Sequence, residues 1–145
     1  HIAAPREDCE GIDRMFRTAL LRGDIAPSEV GYINPHGTGT QANDRLETQS
    51  IRTVFGDAAD GIAVSSTKSM TGHQMGAAGA FEVAVAALAV QERRVPPTIN
   101  LRDADPECDL DYVAEGARDL PDLDVAVSCS IGLGGHNGAV VLRRS

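Results

Sequence analysis

The segment that most constrains this chain covers about residues 74–92 and consists almost entirely of alanine, glycine and other apolar residues. A helix with so few polar residues is buried on most sides, and its small residues let another backbone approach closely. Glycine costs about 1 kcal/mol per helical site relative to alanine, so Gly76 and Gly79 need a packing reason. The pattern therefore predicts a central helix, ended by Pro96-Pro97, with other elements packed around it.

Shorter patterns supply those surrounding elements. Apolar residues at helical spacing over 12–20, with Gly23 behind them, predict an amphipathic helix. A second helix is predicted from Asn43, as its N-cap, to a stop at Gly56. This alternation of helices and strands predicts a layered α/β unit with a mixed sheet, and the glycine-rich turn over 132–138 predicts a C-terminal hairpin. The predicted strands cover residues 30–33, 62–65, 109–113, 125–131 and 139–143.

Charge and composition exclude several classes of function. Thirteen Lys and Arg residues against 21 Asp and Glu residues give a net charge of −8. An acidic chain argues against nucleic acid, which binds a basic face, and against an anionic membrane surface. The longest apolar run, residues 83–90, is too short to span a bilayer, and residues 1–10 lack the apolar core of a signal peptide. The cysteines are odd in number and form no CxxC motif, which predicts reduced thiols in a cytoplasmic protein.

Three polar loops that follow or join predicted strands each carry a histidine, namely His36, His73 and His136. In an open α/β sheet the carboxyl ends of the strands form the binding crevice, so two of these loops are expected on one side. The sequence contains no HxxxH, HExxH, GxxxxGK[ST] or GxSxG motif. A metal site, a nucleotide site and a nucleophile elbow are therefore not predicted.

What remains is a candidate site with two histidines, a lysine and no evident nucleophile. A neutral imidazole can polarise a carbonyl or hold a developing enolate, and a nearby ammonium keeps an imidazole neutral. Lys68 shares a loop with His73, and Glu82 is the one acid inside the apolar helix. Because a buried charge needs a partner, a Lys68–Glu82 pair is predicted. A single loop histidine is explained equally well by backbone contacts, but His36, Lys68, His73 and Glu82 together favour a functional site.

Five ordered motifs carry a resemblance to a known family. They are NPHGTGT at 34–40, SSTKSMTGH at 65–73, GAAGA at 76–80 with Glu82, VPPTIN at 95–100 and GLGGHNG at 132–138. In this order they resemble the C-terminal part of β-ketoacyl-acyl carrier protein synthases, above all the chain-elongating synthases of type II systems. The resemblance covers residues 1–145 as one domain and implies that residue 1 is not a natural beginning. The implied fold is the C-terminal half of a thiolase-like fold, whose two α/β halves share one active site.

The resemblance also implies catalytic roles. His36 and His73 match the two catalytic histidines, which hold the malonyl thioester carbonyl, promote decarboxylation and stabilise the enolate. Lys68 matches the lysine that supports this pair, and Glu82 matches the acid that holds the lysine.

Substrate contacts are implied for further residues. Thr38 and Thr40 match threonines that hydrogen-bond the phosphopantetheine arm, and the backbone N–H of Leu133 matches one donor of the oxyanion hole. The family's usual Phe-Gly-Phe-Gly-Gly reads Ile131-Gly-Leu133-Gly-Gly here. The second Phe resembles a gate, so the smaller Leu133 implies a leakier gate or a different acyl chain. Cys129, at a position where Asn is common, is interpreted as a packing residue.

The family's nucleophilic cysteine lies in the half that this chain does not match. The resemblance therefore implies a decarboxylative Claisen condensation of an acyl thioester with malonyl-acyl carrier protein, once an N-terminal half supplies that cysteine. Substrates would arrive on phosphopantetheine, with no metal or other cofactor. Implied partners are the N-terminal half, acyl carrier protein and a second synthase unit in a homodimer or heterodimer. Two alternatives stay open, namely a non-catalytic chain-length subunit of a ketosynthase heterodimer and a thiolase-type acyl-CoA enzyme.

Overall fold

A computed structural model describes residues 6–145, and the first five residues of the predicted domain lie outside it. The helices are α1 (Glu10–Gly23), α2 (Gln41–Phe55), α3 (Lys68–Thr71) and α4 (Ala78–Glu92). The strands are β1 (Tyr32–Asn34), β2 (Ala63–Val64), β3 (Arg94–Val95), β4 (Arg118–Asp119), β5 (Val125–Ile131) and β6 (Asn137–Arg143). Short 3₁₀ segments lie at Pro27–Glu29, Gly56–Gly61, Met75–Ala77 and Leu133–Gly135.

The main sheet has the strand order β2-β1-β5-β6. Strand β1 is parallel to both β2 and β5, while β6 is antiparallel to β5. The predicted mixed sheet with a C-terminal hairpin is therefore confirmed. The strand expected over 109–113 is wrong in extent, because only Asp111 makes a bridge, to Ala63. Val113 has a φ of 52°, and this left-handed backbone ends the extended run.

Helices α1 and α2 cover one face of the sheet, and α4 covers the other. On the first face, Phe16 of α1 meets Phe55 of α2 edge to face, with ring centroids 5.5 Å apart. On the second face, Ala86 and Ala89 of α4 are buried in a cluster that includes Tyr32. Side chains this small let α4 lie close to the strands. The packing reason expected for Gly76 and Gly79 is not found among the described residues, because an added Cβ would meet no atom within 4 Å at Gly76 and only the Ser130 Oγ, at an ordinary 3.6 Å, at Gly79.

The side of α4 that faces away from the sheet exposes apolar residues. Phe81 is 38% exposed and Leu88 is 57% exposed, so residues 6–145 do not bury this helix on most sides as predicted. By length and composition alone, Met75–Glu92 passes the test for a membrane-crossing helix, with a mean hydropathy of 1.2. This stretch is longer than the predicted apolar run over 83–90. The core helix of a soluble protein shares this length and composition.

The start of α2 also differs from the prediction. The helix begins at Gln41 with Thr40 as its N-cap, so Asn43 lies in the first turn and is not the cap. The Asn43 amide donates to Glu47 at 3.2 Å and to Asp44 at 3.1 Å. Asn43 is thus buried and engaged with an acid on its own helix.

Candidate active site

Two loops at the carboxyl ends of β1 and β2 form the candidate site. Because these strands are adjacent and parallel, the loops that follow them meet at one edge of the sheet, as predicted. The imidazole rings of His36 and His73 lie edge to face, with centroids 5.3 Å apart and an interplanar angle of 84°. The second loop is more regular than predicted, since α3 forms one helical turn and carries Lys68 into the interior.

The buried carboxylate of Glu47 binds the backbone of the His36 loop. The sequence pattern did not single out this residue. Glu47 of α2 is 2% exposed and accepts the backbone N–H groups of His36 at 2.7 Å and Gly37 at 2.8 Å. It also accepts the Asn43 amide and the Cys129 thiol, each at 3.2 Å. Burial raises the pKa of Glu47, and these hydrogen bonds oppose the rise. The sequence offered no signal for Glu47, because Asn43, Thr48 and Ser50 are further polar residues buried on the same helix.

The two loops are tied together at Gly37 and Ser66. The Ser66 hydroxyl donates to the Gly37 carbonyl at 2.7 Å. Gly37 has a φ of 40°, and a Cβ at this position would lie 2.6 Å from the Ser66 Cβ. Only glycine fits this combination of backbone angle and close approach, so it sets the spacing of the loops.

Lys68 and Glu82 form the buried ion pair that the charge pattern predicts. Their side chains are 5% and 2% exposed, and the Lys68 Nζ contacts the Glu82 Oε1. Removing two charges from water is costly, and losing one partner would leave the other charge uncompensated. The pair holds the Lys68 ammonium close enough to His36 to lower the pKa of that imidazole.

His36 is a neutral imidazole in this site. Burial, followed by the charges of Lys68 and His73, lowers the pKa of His36 to about 4. Its Nδ1 is buried and has no hydrogen-bond partner within residues 6–145. At neutral pH this ring can act on a substrate without first losing a proton.

His73 is exposed, and a backbone group fixes its ring. The Met75 N–H donates to the His73 Nδ1 at 3.2 Å, so the neutral ring carries its proton on Nε2. Met75 makes this bond from a left-handed backbone with a φ of 53°, an unfavourable conformation for a residue with a side chain. The result is an N–H donor on His73 beside His36.

A cleft with a volume of about 500 Å³ opens beside His73, and among the described residues His36 does not line it. His73, Thr38 and Thr40 contribute to its lining, and the two threonine hydroxyls are 2.8 Å apart. Among the described residues, Ile131 and Leu133 do not line it, and Leu133 is 73% exposed in the turn after β5. The structure thus brings the histidines, the lysine and the threonines together, while the roles of all these residues stay predictions.

Comparison with known proteins places the chain in a family. Residues 1–102 match the model of the β-ketoacyl synthase C-terminal domain. The 3-oxoacyl-[acyl-carrier-protein] synthases 2 of Synechocystis sp. and Coxiella burnetii are 49% and 48% identical over 144 residues. Each match covers 99% of this chain and 34% of the relative, so the chain spans about a third of the length of these curated relatives. The chain belongs to the β-ketoacyl synthase family.

Solved structures agree with this assignment. One is a type II polyketide synthase acyl carrier protein in complex with its ketosynthase, with a TM-score of 0.95 and 37% identity. Another is the ishigamide ketosynthase/chain length factor, with a TM-score of 0.93 and 38% identity. Both matches cover 100% of this chain and 35% of the other chain. The expected thiolase-like α/β fold of the ketosynthases is therefore confirmed.

Proposed function

We propose that this chain supplies the two-histidine side of a β-ketoacyl synthase active site, with residues 1–145 as its C-terminal domain. Together with a region that carries a nucleophilic cysteine, it catalyses the decarboxylative Claisen condensation of an acyl thioester with malonyl-acyl carrier protein. The observation that carries the proposal is the contact between His36 and His73 above the buried Lys68–Glu82 pair. The relatives from Synechocystis sp. and Coxiella burnetii, named as synthases that act with acyl carrier protein, support it.

In the first step the histidines act on the malonyl thioester. His73 donates its Nε2–H to the thioester carbonyl oxygen, because its Nδ1 is already occupied by the Met75 N–H. As the bond between Cα and the carboxylate breaks, carbon dioxide leaves and the electron pair moves into the thioester to form an enolate. His36 and His73 hold the enolate oxygen, and the Lys68 ammonium favours the developing negative charge.

In the second step the enolate carbon attacks the acyl thioester carried by the cysteine. A carbon–carbon bond forms, the carbon–sulfur bond breaks and the thiolate leaves. The negative charge on the attacked carbonyl oxygen is held by backbone N–H groups, one of them from Leu133. Neither step requires a metal or a further cofactor.

The phosphopantetheine arm is assigned to the cleft. Thr38 and Thr40 line it with adjacent hydroxyl groups, which suit the amide groups of such an arm. Ile131 and Leu133 are assigned to the acyl chain.

The region that supplies the cysteine is assigned to the exposed side of α4. Phe81 and Leu88 present apolar surface there, and contiguous apolar surface of this kind marks an interaction site. Further proposed partners are acyl carrier protein and a second synthase unit in a homodimer or heterodimer. The three free cysteines fit a reducing compartment, and we place the protein in the cytoplasm.

A second candidate is a non-catalytic chain-length subunit. The ishigamide structure, which includes a chain length factor, is the observation in its favour. The presence of His36, His73 and Lys68 favours the catalytic reading, because a subunit that only shapes a cavity has no need of them. A thiolase-type acyl-CoA enzyme is the third candidate, and the motif from Lys68 to His73 favours the synthases over it.

The test is made in the complete synthase, with His36→Ala and His73→Ala measured singly. Release of carbon dioxide from malonyl-acyl carrier protein is expected to fall at least about a hundredfold in each, while transfer of the acyl group to the cysteine persists. Gln49→Ala, on the exposed side of α2, is the matched control and is expected to keep full activity. Unchanged condensation in both histidine variants would favour the chain-length subunit. Condensation without malonyl-acyl carrier protein, from acyl-CoA substrates, would favour the thiolase.

The isolated chain gives a second test. Without the complementary region it is expected to form no condensation product, and its exposed α4 surface is expected to cause self-association. Sedimentation and thermal unfolding of the purified chain measure this. Turnover by the chain alone would overturn the shared-site proposal, and a monodisperse monomer with a cooperative melt would overturn the assignment of α4 as an interface.

A further inference from the structure

Cys129 is a buried polar group whose surroundings are not those of a simple packing residue. It lies in β5, is 1% exposed and belongs to the core between the sheet and the first two helices. Its Sγ is 3.2 Å from the Oε1 of Glu47. Between a thiol and a carboxylate, the S–H is the donor and the carboxylate oxygen accepts.

The contacts of Glu47 divide evenly between the loop and the scaffold. Oε1 accepts the His36 N–H at 2.7 Å and the Cys129 thiol at 3.2 Å. Oε2 accepts the Gly37 N–H at 2.8 Å and the Asn43 amide at 3.2 Å. Each carboxylate oxygen thus has one donor from the His36 loop and one buried side-chain donor, which is Cys129 of β5 for Oε1 and Asn43 of α2 for Oε2.

This arrangement makes the position of His36 depend on Glu47. The ring nitrogen Nδ1 of His36 has no hydrogen bond to any residue in the described part of the chain. The ring is therefore aimed by its backbone, and that backbone is bound to Oε1 of Glu47. The thiol of Cys129 reaches the same oxygen from the strand, so it fixes where Oε1 lies.

We propose that Cys129 is a positioning residue for His36, and that it acts through the carboxylate of Glu47. The proposal rests on the proposed function, because it concerns the histidine assigned to decarboxylation. An apolar residue would fill the same space but leave Oε1 with one donor fewer.

The experiment compares Cys129→Ser, Cys129→Ala and Cys129→Val in the complete synthase. Serine keeps a donor, while alanine and valine remove it with a smaller and a larger side chain. We expect kcat for malonyl decarboxylation to fall about ten- to hundredfold in the alanine and valine variants, with KM little changed. The serine variant is expected to stay within about threefold of the parent enzyme, because its hydroxyl can donate to Glu47.

The pH profile separates positioning from simple loss of folded protein. Only the ionised carboxylate gains from the thiol donor, so its loss raises the pKa of Glu47. The acid limb of the decarboxylation profile is therefore expected to move to higher pH in the alanine and valine variants and to stay in place for serine. The titratable and charged groups around the Glu47–Cys129 pair, each to be considered in assigning that limb, are His36, Asp44, Lys68 and Tyr112.

Infrared spectroscopy tests the hydrogen bond without any turnover. A thiol that donates to a carboxylate absorbs at a lower S–H stretching frequency than one in apolar surroundings. The Cys129 band, assigned by its loss in Cys129→Ser, is expected to rise in frequency in Glu47→Gln. A band that does not move would contradict the contact.

The outcomes distinguish this proposal from the proposed function. If the parent enzyme does not decarboxylate malonyl-acyl carrier protein, the proposed function fails. If it does, and all three Cys129 variants match it in kcat and pH profile, Cys129 only packs and the positioning role is overturned. The control is Cys9→Ala, another buried cysteine, whose thiol donates to the Leu46 carbonyl at 3.4 Å. It is expected to lower the melting temperature without moving the acid limb.

Discussion

The imidazole rings of the two histidines have centroids 5.3 Å apart, and different contacts hold them in place. His36 belongs to a loop whose backbone is bound by the buried carboxylate of Glu47, and burial is the main cause of its low pKa. His73 is exposed, and the Met75 N–H binds its ring directly. One ring is aimed through its backbone, and the other is aimed through its own nitrogen.

This difference suits two tasks in the proposed reaction. His73 has a defined tautomer with a proton on Nε2, which makes it a donor to a carbonyl or enolate oxygen. His36 stays neutral well below neutral pH. Changes beneath His36 should therefore act through a buried network, whereas changes near His73 should act on one ring alone.

The largest expected effect comes from Lys68→Met, which removes the positive charge that acts on His36. Glu82 would be left buried without its partner, at a cost of about 3–5 kcal/mol in the free energy of unfolding. The pKa of His36 is expected to rise from about 4, because the Lys68 charge lowers it, but burial keeps it below its ordinary value. The tautomer of His73 is expected to stay the same.

Urea denaturation of the complete synthase measures this stability change. The matched variant is Lys68→Met with Glu82→Leu, which replaces both charges by apolar side chains of similar size. It is expected to recover most of the lost stability but not the activity. Equal destabilisation by the single and double variants would show that the buried charge is not the cause.

A smaller effect is expected from Gly37→Ala, at the tie between the two loops. Its φ of 40° and the 2.6 Å approach to the Ser66 Cβ predict a loss of about 2–4 kcal/mol. Gly39→Ala is the matched control, because Gly39 also has a positive φ, 72°, but no atom within 4 Å of its added Cβ. It is expected to cost about 1–2 kcal/mol, and equal costs would mean that the close approach has no effect.

The smallest effect is expected on the His73 side, from Met75→Gly. Glycine adopts the φ of 53° without strain and keeps the N–H, so the free energy of unfolding should rise by up to about 1 kcal/mol. Nitrogen-15 NMR of the His73 ring should show the same tautomer as in the parent protein. A changed tautomer would mean that the Met75 side chain, and not its N–H, holds the ring.

The sequence was most predictive where a charged residue had no possible partner among its neighbours in the chain. Glu82 is surrounded by alanine, glycine and valine, so its carboxylate required a partner, and Lys68 was the cation at the right loop. The two histidine loops could be placed together because parallel neighbouring strands end at the same edge. Both inferences follow from rules that need no knowledge of side-chain packing.

The remainder depended on tertiary contacts. Asn43 fits an N-cap by local rules, yet its amide turns inward to Glu47, and the N-cap is Thr40, three residues earlier. Glu47 itself looked like an ordinary polar residue of an amphipathic helix, because its donors come from distant parts of the chain. Phe81 and Leu88 of α4 are exposed in the described residues. The partner proposed for this side of α4 is another region of the synthase, so its contacts could not be predicted from this sequence.

The most direct test of the contrast between the histidines is a pH titration of both rings by NMR in the complete synthase, labelled at histidine. His36 is expected to stay neutral across the neutral range and to titrate near pH 4, while His73 keeps its proton on Nε2 whenever the ring is neutral. A His36 ring that titrates near the ordinary histidine value of about 6.5 would contradict its burial above Glu47, and with it the neutral role assigned to it in decarboxylation.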